Sequence, residues 1–200
     1  MTDSPIARTE RLILRRWRTC DQAAFAALNS DPRVLEFLPR ALTRRESDAF
    51  IARIEAHIDQ HGFGFWAVEI PDVTPLAGFV GLAVPKFEAH FTPCVEIGWR
   101  LAAEHWGRGY ATEGARAALD FAFDHAAAPE VVSFTSVHNS ASRRVMEKLG
   151  MVHDPADDFD HPSLPEGDRL RRHVLYRIAR ANRGGRSTVP DAARKRAESP

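Results

Sequence analysis

The stretch His105-Trp-Gly-Arg-Gly-Tyr-Ala-Thr-Glu-Gly114 constrains this chain most, because it sets glycines and small residues between a strand pattern and a helix pattern. Gly107, Gly109 and Ala111 leave backbone N–H groups uncovered where a helix begins. Unpaired donors and the helix macrodipole attract an anion such as a pyrophosphate to such a place. Two well-known glycine loops do not fit the spacing. A phosphate-binding P-loop needs Lys-Ser/Thr after its last glycine, and Ala115-Arg116 stand there; a Rossmann fingerprint needs a third glycine where the chain has Thr112. A tight strand-to-helix turn with no ligand is the competing reading of glycine spacing alone.

Periodicity places this loop in an alternating α/β chain. Arg11 to Trp17 alternates around Leu12 and Leu14, and Asp21 to Leu28 reads as a short helix. Thr43-Arg-Arg-Glu46 spells a capping box, followed at helical spacing by Phe50, Ile51, Ile54 and Ile58 until His61-Gly62. Phe65–Ile70, Leu76–Val84 and Val95–Leu101 read as strands of an antiparallel meander. After the glycine loop, Ala115, Ala118, Leu119, Ala122 and Phe123 form one apolar helix face. Val131–Val137 is a short β-branched strand, Asn139 can cap a helix through Leu149, and Gly150 suits its left-handed end. A loop rich in Asp and Pro, 154–168, precedes a last strand, His173–Ile178.

The 200 residues fit one domain, 1–181, and 182–200 read as a basic, loosely held tail with no apolar face to bury. Lys+Arg 27 against Asp+Glu 27 gives no net charge, which removes the whole-chain electrostatic case for nucleic acid or an anionic membrane. Arginines of the tail could touch RNA, but a solvated tail is the simpler reading. No apolar run approaches the roughly 18 residues of a membrane span, and MTDSPIARTE lacks a signal-peptide core. Two cysteines are too few for a disulfide scaffold or a four-cysteine zinc site. The expectation is a cytoplasmic protein, monomer or homodimer.

A second element, His138-Asn-Ser-Ala-Ser-Arg-Arg-Val-Met-Glu-Lys-Leu-Gly-Met151, follows downstream, and Val-Glu-Ile-Gly-Trp-Arg-Leu101 precedes the loop. With these three segments in order, the chain from about Arg8 to Ile178 resembles the GCN5-related N-acetyltransferase (GNAT) superfamily, in particular its ribosomal-protein-alanine N-acetyltransferase branch. The family loop pattern is Gln/Arg-x-x-Gly-x-Gly/Ala; Gly109 and Ala111 match its last two fixed positions, and Trp106 departs at the first. The resemblance implies an α/β fold with a mixed, mostly antiparallel sheet and helices on both faces. It also implies a parallel strand pair that splays around acetyl-CoA as acetyl donor, a primary amine as acceptor, and direct transfer with no metal.

By the same resemblance, Trp99 and Leu101 offer a strand edge to the pantetheine amides, and the loop residues Gly107, Arg108, Gly109, Tyr110, Ala111 and Thr112 hold the pyrophosphate. Asn139 contacts the pantetheine arm, or is only a helix cap. Ser142 lies near the CoA sulfur and is the first choice for general acid, with Tyr176 behind it. Arg143 and Arg144 either reach the adenosine phosphate or are solvated. Glu96 is the candidate base, acting through water on the strand face opposite Trp99, or else a structural ion pair with Arg100 or a neighbouring strand. A backbone N–H near Trp99 or Arg100 would hold the oxyanion. A non-catalytic CoA-binding or ribosome-associated module on the same fold is the alternative.

Other constellations are weaker. His57 and His61 copy a zinc-helix spacing, but Ile58 occupies the position of the Glu base. His153, Asp157, Asp158, Asp160 and His161 could hold a metal, line a surface, or set carboxylates beside the cleft for a cationic amine. No Gly-x-Ser-x-Gly elbow is present.

Overall fold

Local signals set where the longest helix starts and stops. Thr43 accepts from the Glu46 N–H while Glu46 accepts from the Thr43 N–H at 2.8 Å, and Gly62, at φ +77°, turns the chain out of the helix. In the computed structural model, which describes residues 4–182, this helix is α3 (Arg44–His61), preceded by α1 (Asp21–Leu28) and α2 (Pro32–Leu35). The remaining helices are α4 (Tyr110–Asp124) and α5 (Ser140–Lys148). The strands are β1 (Ala7–Arg8), β2 (Ile13–Arg15), β3 (Phe65–Ile70), β4 (Thr74–Ala83), β5 (Glu96–Leu101), β6 (Glu130–Ser136), β7 (Val152–His153), β8 (Phe159–Asp160) and β9 (Arg172–Ala179). Residues 183–200, nearly all of the expected tail, lie outside the described residues.

Among the described residues the strands form one sheet in the order β1-β2-β3-β4-β5-β6-β9-β7, with β8 on β9. Every pairing is antiparallel except β5 with β6. The mixed α/β fold expected from the sequence is therefore the observed one. Phe79 of β4 packs edge-on against Phe25 of α1 and Phe50 of α3, whereas Val80 lies under Gly114 of α4. Alternate residues of a strand face opposite ways, so α1 and α3 cover one face and α4 the other. No helix among the described residues is long and apolar enough to cross a membrane.

Two departures from the sequence reading have one cause. The early strand shrinks to Ile13–Arg15, and Arg15 is 2% exposed because Asp21, Glu69 and the Pro75 carbonyl accept from its guanidinium. The loop from 154 to 168 contains the short strand β8, and α2 is a single extra turn. Elements this short are held by their partners rather than by a pattern of their own.

Candidate functional site

The ladder decides which strand edge is open. The Ala102 N–H donates to the Ala77 carbonyl at 2.8 Å, and the β4–β5 register then runs unbroken from Gly78 opposite Leu101 to Ala83 opposite Glu96. In an antiparallel pair, alternate residues bond to the same neighbour, so Glu96, Gly98 and Arg100 spend their main-chain groups on β4. Ile97, Trp99 and Leu101 turn theirs toward β6. There β6 meets β5 at one register pair, Glu96 with Val132, with the Val132 N–H on the Val95 carbonyl at 2.9 Å. Past that pair the strands part. The Trp99 N–H and carbonyl face the gap, while the Leu101 carbonyl accepts from Trp106 Nε1 at 2.7 Å. Of the expected strand edge, Leu101 thus offers only its N–H. Of the two expected oxyanion donors, the Arg100 N–H is taken by β4 and the Trp99 N–H is open. Trp106, at the departing position of the loop pattern, ties the loop to the strand end.

The glycine loop closes the mouth of this fork. Gly107 and Gly109 have φ +72° and +83°, a region that costs any residue with a Cβ, and Gly109 caps α4 without a side chain. The N–H groups of Tyr110, Ala111 and Thr112 have no intrahelical partner. A Cβ at residue 107 would meet nothing within 4 Å, and one at 109 only Arg11 Nη2 at 3.4 Å, so the space over the loop is empty. The Arg108 side chain is exposed and stands outside the cleft lining, and its carbonyl accepts from Arg11 at 3.0 Å.

Arg11 and Thr9 are neighbours of the glycine loop and α4 that the sequence did not signal. Glu113, in the first turn of α4, accepts from Thr9 Oγ1 at 2.6 Å and from the Arg11 main chain and guanidinium at 2.8 and 2.7 Å. The Arg11 guanidinium also covers the Tyr110 ring at 4.8 Å. Burial opposes ionisation of Glu113, but the bonds from Thr9 and Arg11 outweigh it and hold the carboxyl below its ordinary value of 4.5. Stability from such a group is present above the unfolded-state value and is lost as pH falls through the folded one. We expect Glu113→Gln to lower the melting temperature by a few degrees at pH 7. The gap should narrow as pH is lowered through the carboxylate range, and thermal melts of both proteins at pH 7 and across that range check it.

On the far side of the fork, Asn139 Oδ1 accepts from the Ser142 N–H at 3.1 Å, a helix cap, and both residues line the cleft. Arg144 lines it too. Arg143 turns instead to the Tyr176 hydroxyl at 3.4 Å and the Val137 carbonyl at 3.5 Å. Tyr176 donates to Glu147 at 3.2 Å and lies outside the cleft lining, apart from Ser142.

The cleft, about 650 Å³, passes through the fork to the α1/α3 face, where Phe50, Phe65, Phe79, Glu96 and Arg100 line it. Gly98 makes room there: a Cβ at 98 would lie 3.1 Å from the Phe65 ring and 3.7 Å from Glu96 Oε1. No cation pairs with Glu96 among the described residues, and burial pushes its carboxyl up to about 8. The alternative ion pair with Arg100 is not formed, since Arg100 Nη1 donates to Asn29 Oδ1 at 2.8 Å. The carboxylates of the 154–168 loop do not line the cleft. Asp157 is held by Arg177 and His90, Asp158 by His153, and Asp160 by Arg171 and Arg172; His161, Ser163 and Leu164 form the lip instead. Among the described residues no three metal-ligating side chains converge, and the His57–His61 pair packs on Phe63.

Known proteins are similar to this chain in sequence and in fold. Residues 11–152 match the family described as the acetyltransferase (GNAT) domain. The uncharacterised protein YkkB of Bacillus subtilis is 31% identical over 144 residues, 72% of this chain and 83% of that one. The FsC-acetyl coenzyme A-N(2)-transacetylase of Aspergillus fumigatus is 30% identical over 163 residues, 76% of this chain and 67% of that one. The crystal structure of an acetyltransferase from Agrobacterium tumefaciens superposes with a TM-score of 0.69 at 28% identity, covering 89% of this chain and 96% of that one.

Proposed function

The chain belongs to the GNAT acetyltransferase family and is an acetyl-CoA-using N-acetyltransferase; from that premise we propose direct transfer to a primary amine, on a small molecule or a protein N-terminus, with no covalent enzyme intermediate. The carrying observation is the fork itself: a parallel strand pair that separates after one register pair, with a glycine-capped helix at its mouth and a carboxyl on the opposite face. Acetyl-CoA supplies an activated acetyl thioester. The open N–H groups of Tyr110, Ala111 and Thr112, with Gly107 and Gly109, suit its pyrophosphate. The Trp99 edge, the Leu101 N–H and Asn139 suit the pantetheine amides, and the Trp99 N–H suits the developing oxyanion. Arg108 contributes its backbone, not its side chain. Glu96 takes the amine proton through water, and Ser142 returns one to the departing thiolate.

The test is thiol release from acetyl-CoA with a panel of primary amines. Release that depends on an amine supports the reading, and no amine-dependent release from any of them overturns it. A protein N-terminal alanine, the acceptor of the ribosomal-protein-alanine branch, is the alternative to a small-molecule amine; a peptide beginning with Ala in the same panel tests it. Ser142→Ala should lower kcat by roughly 10² while leaving acetyl-CoA binding in place, since the hydroxyl acts on the leaving group. A loss of binding instead would make Ser142 a cofactor contact only.

A further inference from the structure

Among the described residues, most part-buried or buried arginines pair with a carboxylate; Arg143 bonds instead to Tyr176 and the Val137 carbonyl, and Arg100 has neither arrangement. Arg15 holds Asp21 and Glu69, and Arg177 holds Asp157 and Glu130. Arg100 has no carboxylate within ion-pair distance among the described residues. Its socket is nonetheless built. Asn29 Oδ1 accepts from Nη1 at 2.8 Å, and Asn29 is itself anchored by donating to Ser47 Oγ at 2.9 Å, both residues being fully buried. The rings of Phe50 and Phe79 flank the guanidinium at 5.6 and 5.4 Å. The side chain is therefore held in one place with donors unspent, inside the cleft and on the face opposite α4 and its phosphate-suited loop.

A part-buried cation without a counterion is costly, and a charge-assisted bond to a bidentate oxyanion offsets that cost. Burial lowers the Arg100 pKa to about 10, which leaves it charged at neutral pH. The glycine loop is across the sheet, so the missing anion belongs to the acceptor. We infer that Arg100 anchors a carboxylate carried by the acceptor amine, making the substrate a small amino carboxylate with an apolar body. This rests on the acetyltransferase reading above. One guanidinium between two aromatic rings balances one negative charge, which favours a carboxylate over a dianionic phosphate. Val34, Leu38, Phe65, Leu164 and Leu170 line the same cleft and suit the apolar body. Arg169 donates to the Glu36 carbonyl, which joins the two lips over this half of the cleft.

The test measures binding in the presence of CoA without its acetyl group, so that no turnover is required. L-Phenylalanine and L-leucine are compared with their amides, and the peptides Ala-Glu-Ala-amide and Ala-Gln-Ala-amide form a second pair. The free acids should bind at least about tenfold tighter than the amides, as a charge-assisted pair requires. Arg100→Met should remove that ratio while acetyl-CoA still raises the melting temperature. Equal binding of acid and amide by the wild-type protein, or no binding of either, overturns the proposal without any variant, as does a ratio that survives in Arg100→Met. Discrimination seen with the peptides alone assigns the anchor to a peptide side chain and overturns the small-molecule substrate. Selective binding of the acids with no thiol release from acetyl-CoA would sink the transferase reading and leave the anchor standing.

Discussion

Acetyl-CoA at about a hundred times its dissociation constant should raise the melting temperature by roughly 5 to 10 °C, and Gly109→Asp should abolish that rise. The first figure follows from mass action, about 2.7 kcal/mol at that excess, and from the few degrees that each kcal/mol moves a chain of this size. The second follows from the loop. Residue 109 caps α4 at φ +83°, with its neighbouring N–H groups turned to open space. A carboxylate there meets the pyrophosphate with like charge and takes the donors for itself. The same carboxylate suits a helix N-terminus and has Arg11 Nη2 close by, so the fold should persist and the loss be one of binding. Melts of parent and variant with and without acetyl-CoA decide it. A variant protected like the parent would detach the pyrophosphate from this loop.

What the sequence showed of this site was its local chemistry. The capping box at Thr43, the left-handed ends at Gly62 and Gly150, and the bare first turn of α4 are each written within a few residues, and each stands as read. Contacts between distant segments were not legible. Arg11 and Glu113 lie 102 residues apart, and nothing near either announces the other. Asn29 and Arg100, 71 apart, are a further case, and the isolation of Arg100 from the carboxylates of the described residues is visible only once the chain has folded. Which of the three readings of the carboxylate loop holds was not legible for the same reason: composition counts its aspartates but not the arginines and histidines that β9 and its neighbours bring to them. Alternation along β5 did foretell that Glu96 and Trp99 face opposite ways, because no bulge interrupts that register.

Glu96 is where the energetics of the fold and of the reaction meet. Its carboxyl is pushed by burial from 4.5 to about 8, so the folded protein holds a proton there that the unfolded chain releases. Stability should therefore fall as pH rises between those two values, and Glu96→Gln, which has no such proton to lose, should gain on the wild type over that range. The rate should move the other way. Transfer needs one proton fewer than the fully protonated pair of Glu96 and substrate ammonium, so the wild-type kcat/KM should climb with an apparent pKa near 8. In Glu96→Gln the climb should move to the amine's own value, so the series uses a lysine-type amine, about 10.4, because an N-terminal amine near 8 would titrate where Glu96 does. At neutral pH the variant should be slower by roughly 10² to 10⁴, with the deficit shrinking as the amine loses its proton unaided. One pH series of rates and melts separates the roles. A uniform deficit with no change in the pH profile would make Glu96 a structural group. An unchanged rate would move proton acceptance to His173, whose Nδ1 lies 3.0 Å from the Arg171 carbonyl and so carries the hydrogen, leaving Nε2 as an acceptor in the same cleft.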